Sequence, residues 1–139
     1  MVDIKLTFEA ETGLDGMDPL GDISISDGSS TIAERTTCLD WWLAALIEGY
    51  TQTRVSSHVS VDIRCERAPL HIEVTSNGLL LISYENKALS PQPPKDFEVA
   101  LKKASRSFLE AIGNLPNAAR NTSLDPIREF ISTGSNGAG

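Results

Sequence analysis

The chain has 139 residues, the usual size of one domain, with 40% hydrophobic and 22% charged residues and a net charge of −7. Such a length buries one core without staples, and no apolar run approaches the roughly 18 residues of a membrane-crossing helix. An acidic chain repels a phosphate backbone, so generic nucleic-acid binding is disfavoured.

The charge is uneven. Residues 1–50 carry ten acidic groups against two basic ones, and residues 51–139 carry nine against ten. A concentrated negative field of this kind steers a basic protein partner. A solvated face kept for solubility would look the same in sequence. Met1-Val2-Asp3-Ile4-Lys5-Leu6 lacks the basic region and apolar stretch of a secretory signal, so a cytoplasmic address is expected. Cys38 and Cys65 lie 27 positions apart with no CxxC spacing. In a cytoplasmic chain each is expected as a small buried apolar residue with a free thiol.

Asp3–Ala10 alternates with period two, which predicts a half-buried strand. Glu11–Gly21 is rich in glycine and acids and reads as a loop. Asp22–Ser26 alternates again, Asp27-Gly28 offers a hairpin turn, and Thr31–Arg35 supplies a short return strand. Thr37-Cys38-Leu39-Asp40 matches the [ST]-x-x-[DE] helix start. Leu39, Trp42, Leu43, Leu46, Ile47 and Tyr50 then form one apolar stripe, with Gly49 as its stop signal. Trp41 lies off that stripe, near Ala44, Ala45 and Glu48.

Val55–Cys65 reads as a strand with His58, Ser60, Asp62 and Arg64 on its polar side. Leu70–Thr75 and Leu79–Glu85 form a hairpin over Ser76-Asn77-Gly78. A three-residue loop with left-handed Gly78 pairs Val74 with Leu80, Ile72 with Ile82 and Leu70 with Tyr84 on one apolar face. After the stiff Ser90–Pro94 connector, a second helix starts at Lys95 or Asp96 and runs to Gly113. Leu124–Ile131 forms a short terminal helix. The sum is one α+β domain over residues 1–132, with an antiparallel sheet of about five to six strands, two main helices on one face, and a flexible tail over 133–139.

The residues offer no complete catalytic or metal constellation, so no enzyme activity, cofactor or metal is expected. There is no GxSxG elbow. Cys65 faces the expected core while His58 and His71 face away, which opposes a Cys–His pair. Pairing through the Glu66–Pro69 connection sets Asp62 beside Glu73 and leaves His58 roughly 15 Å from His71, too far for one zinc ion. Asp15, Asp18, Asp22 and Asp27 miss the calcium-loop spacing. Trp41 is the residue of interest, because tryptophan is enriched at interface hot spots. Cover by the Glu11–Gly21 loop is the alternative.

Asp22–Gly28 followed by Thr36-Thr37-Cys38-Leu39-Asp40-Trp41-Trp42-Leu43-Ala44-Ala45-Leu46-Ile47-Glu48-Gly49 is similar to small bacterial immunity proteins of polymorphic-toxin and contact-dependent inhibition systems. In those, a short strand pair often precedes an acidic-aromatic helix. The resemblance covers about a quarter of the chain. It implies a small cytoplasmic binder that neutralises a cognate toxin domain, in many cases a nuclease with a basic surface. Asp15, Asp18, Asp22, Asp27 and Glu34 would then steer the partner, and Trp41 would anchor it. A small-ligand binder, a small enzyme and a structural subunit or homodimer stay open.

Overall fold

A computed structural model describes residues 2–8, 19–115 and 117–137, with side chains to residue 132. The order is β1 (Asp3–Phe8), β2 (Leu20–Ser26), β3 (Thr31–Cys38), α1 (Leu39–Gln52), β4 (His58–Val61), β5 (Leu70–Val74), β6 (Leu80–Tyr84), β7 (Lys87–Ala88), α2 (Pro94–Ile112), a 3₁₀ turn at Ala118–Arg120, and α3 (Leu124–Gly137).

The α+β class with antiparallel strands holds, but the single expected sheet is two. One has the order β1-β2-β3 and the other β4-β5-β6-β7. The division falls where α1 interrupts the chain of hairpins. Ile4, Ile23, Ile25 and Ile32 line the inner face of the first sheet. Val59, Val61, Leu70, Ile72, Leu80, Ile82 and Tyr84 line that of the second. Helix α1 packs against strands of both sheets and against α2 and α3, while α2 also covers β1. Burying both apolar faces takes three helices, and Leu124 and Ile127 of α3 are fully buried. The last helix extends past Ile131 to Gly137.

The β5–β6 register is Val74 with Leu80, Ile72 with Ile82 and Leu70 with Tyr84, and Gly78 has φ 82°. Apolar matching across one face therefore set this hairpin. In β4 the pairing differs from expectation. His58 faces Glu73 and Ser60 faces His71, so Asp62 and Arg64 leave the sheet altogether. Alternation continues in sequence beyond Val61, but the backbone turns there instead of pairing. This register makes His58 and His71 diagonal neighbours, about 7 Å apart rather than roughly 15 Å, and brings His58 Nδ1 to 3.5 Å from Glu73 Oε1.

Gly49 does not stop α1. It sits inside the helix, where an added Cβ would lie 2.9 Å from Ile72 Cδ1 and 3.5 Å from Val61 Cγ2. Its role is close approach of α1 to the second sheet. The expected Thr37 cap is also absent, since the N-cap is Cys38 and no side chain caps the helix. At α2, Pro94 occupies the first turn, one or two residues ahead of the expected start, because its missing N–H is not needed there.

The largest correction concerns the cysteines. Cys38 and Cys65 form a disulfide with Cα atoms 6.0 Å apart, joining the β3–α1 junction to the turn after β4. Spacing along the chain carried no sign of this, because the contact depends on how α1 folds back on the second sheet.

Candidate functional site

The two sheets meet through side chains along β3. Tyr84 of β6 donates its hydroxyl to Glu34 Oε2 of β3 at 2.8 Å. Burial, and then the bond to Glu34, push the Tyr84 phenol well above its ordinary value, with the Glu66, Glu34 and Glu85 charges adding to the rise. The Trp42 ring packs edge-on to Tyr84 at 4.9 Å. Its indole N–H is shared between Thr37 Oγ1 at 3.1 Å and Glu66 Oε2 at 3.2 Å. The Thr37 hydroxyl donates to the same Glu66 oxygen. Thr37, expected as a helix cap, thus serves a junction between β3, α1 and the turn after β4.

Trp41 is half-buried beside this junction. The Arg64 guanidinium lies 4.8 Å from its ring centroid, a cation–π arrangement one residue before the bridged Cys65. Asp40, the acid of the helix-start motif, is buried. It accepts from the Trp41 amide at 3.0 Å, from Asn121 Nδ2 at 3.0 Å and from Ser123 Oγ at 2.6 Å. These bonds tie α1 to the segment before α3.

The other sequence-nominated acids fall in three places. Asp22 accepts from the Thr36 amide at 2.9 Å and braces an irregular register between Gly21 and Ile23. Thr36 there has φ 49°, a left-handed backbone that a β-branched residue rarely adopts. Asp27 sits at the opposite end of the β2–β3 hairpin. It accepts from Ser29 at 2.8 Å and Ser30 at 2.7 Å through one oxygen, and from the Ser90 amide at 2.6 Å through the other. Those amides, Ser30 first, then Ser90 and Ser29, hold its carboxyl far below the usual carboxylate range. Asp15 and Asp18 lie outside the described residues. Asp22 is thus bound near the end of β3, Glu34 is engaged by Tyr84 of the second sheet, Trp41 carries Arg64, and Asp27 is about 16 Å of strand away from Asp22.

Arg64, Glu66 and Tyr84 complete the junction and were not singled out in the sequence. Their one signal was Arg64-Cys65-Glu66 at the end of an alternating run, which reads equally well as a strand terminus. On the polar face of the second sheet, His58, Ser60, His71 and Glu73 line a dent of about 110 Å³. Among the described residues, no three His, Cys, Asp or Glu side chains are arranged to hold a metal ion. No helix of the described residues is long and apolar enough to cross a membrane. No family model matches the chain, and no curated protein or solved structure was found similar to it.

Proposed function

We propose that the chain is a protein-binding domain of the immunity type, which occupies a cognate bacterial toxin domain and neutralises it. The observation that carries the reading is Trp41. It is half-buried at the start of α1, with Arg64 on its ring. Tryptophan and arginine are the residue types enriched at interface hot spots. The ten acids of residues 1–50, facing only two bases, supply a field that attracts a basic partner surface.

A pull-down from the native strain with the intact chain as bait tests this, read by mass spectrometry. Recovery of one large protein ending in a toxin-like domain supports the proposal. With that domain in hand, the association rate is expected to fall at least about tenfold from low to high salt if the acids steer. Trp41→Ala is expected to weaken binding by about 2 kcal/mol or more. Retention of full affinity by that variant removes Trp41 as the anchor.

A further inference from the structure

The Cys38–Cys65 bridge is asymmetric. Cys65 is exposed, in the turn after β4, while Cys38 is half-buried at the N-cap of the 14-residue helix α1. An incoming thiolate reaches the Cys65 sulfur more readily than the Cys38 sulfur. The sulfur then expelled is that of Cys38, at the positive end of α1, where the Leu39 amide is bound by the Pro19 carbonyl and the Trp41 amide by Asp40. A thiolate stabilised in this way is the better leaving group.

The surrounding charges are mixed. Arg64 precedes Cys65 and Glu66 and Arg67 follow it, and Asp40 in the first turn of α1 is already bonded to Ser123, Asn121 and the Trp41 amide. A second tether also holds the same turn, because Glu66 is bound by Thr37 and by the Trp42 indole. Opening the bridge therefore loosens Arg64 and Cys65 while Glu66 keeps the turn attached.

We propose that Cys38–Cys65 is a thiol–disulfide exchange site for small thiol reductants, and that its opening releases Arg64 from Trp41. In the first step a thiolate forms a bond to Cys65 Sγ as the Cys38–Cys65 bond breaks, and the electron pair leaves on Cys38 Sγ. In the second step another thiolate attacks the reductant's sulfur in that mixed disulfide. Cys65 Sγ leaves with the electron pair and the reductant departs as its own disulfide. Two protons from solvent complete both thiols where the pH requires. The inference concerns the chemistry of the bridge and stands apart from the immunity reading.

The test uses the full chain purified without reductant and exposed to millimolar reduced glutathione under native conditions. Samples are quenched with iodoacetamide and mapped by peptide mass spectrometry. The glutathione adduct is expected on Cys65 in at least about tenfold excess over Cys38. Tryptophan emission is expected to change on full reduction by dithiothreitol, and Trp41→Phe is expected to abolish the change. Circular dichroism should retain the folded signal. An adduct mainly on Cys38, a bridge that opens only in denaturant, two free thiols in the unreduced protein, or an emission change that persists in Trp41→Phe would each overturn the proposal.

Discussion

The bridge between Cys38 and Cys65 closes a loop with a sequence separation of 27 residues. In the chain-entropy account, closing a loop of that length removes about 12 cal/mol/K from the unfolded ensemble, or about 3.6 kcal/mol at 25 °C. This is a large share of the 5–15 kcal/mol typical of a domain. The perturbation is the double substitution Cys38→Ser and Cys65→Ser, compared with the oxidised chain in urea. With a slope of about 2 kcal/mol per molar urea, the midpoint is expected to fall by about 1.8 M. Unbridged wild-type protein, held in reductant, is expected to match the double variant. The reasoning is refuted if oxidised and substituted proteins unfold at the same urea concentration.

Three further outcomes follow from particular side chains. Ser105 is fully buried in α2 and its hydroxyl has no hydrogen-bond partner among the described residues, so Ser105→Ala should raise stability by about 1 kcal/mol in a thermal melt. Both tyrosines of the chain are buried and donate to carboxylates, Tyr50 to Glu98 and Tyr84 to Glu34, and both phenols are raised, chiefly by burial. Their stabilising share is complete below the unfolded value of about 10 and is lost as pH rises toward the folded one, so phenolate absorbance should appear only with alkaline unfolding. Early ionisation of either ring contradicts the buried placement. Glu98 is lowered, first by the Tyr50 hydroxyl and then by the Lys102 ammonium at 3.0 Å. Its contribution is present above the unfolded carboxylate range and is lost as pH falls through the folded value. Tyr50→Phe should therefore move acid unfolding to higher pH, and an unchanged acid midpoint would argue against the bond.

Legibility in the sequence followed the range of the interaction. The β5–β6 hairpin was readable to the residue, because Gly78 and the facing apolar residues lie within a few positions of one another. The stripe of α1 was readable for the same reason. The meaning of Gly49 was not, since the space it leaves is filled by Ile72 and Val61 from a different sheet. Alternation overextended β4, because a period of two persists in sequence where no partner strand exists. The junction is legible only in part. Glu34 and Trp41 were picked out for charge and amphipathic position, but their contacts, Tyr84 and Arg64, come from 50 and 23 positions further along. Asp40 read as the acid of a helix start, and only the placement of Ser123 and Asn121 makes it an internal tie as well.

The order in which the chain leaves the ribosome bears on the first sheet. Strands β1 to β3 are complete by Cys38, yet β1 is covered by α2, and the ring of Phe8 meets that of Phe108 with centroids 6.3 Å apart. At about 5–20 residues per second, the hundred residues between those rings take roughly 5–20 s to synthesise. Through that interval the earliest strands have an apolar side without its final cover, and they are held together chiefly by their own hairpins. The short loop at Asp27, knotted by its carboxylate to Ser29 and Ser30, needs nothing from later in the chain except Ser90. A nascent sheet pinned at its turn in this way has its register fixed before its cover arrives, which narrows the opportunity for mispairing with a neighbouring chain.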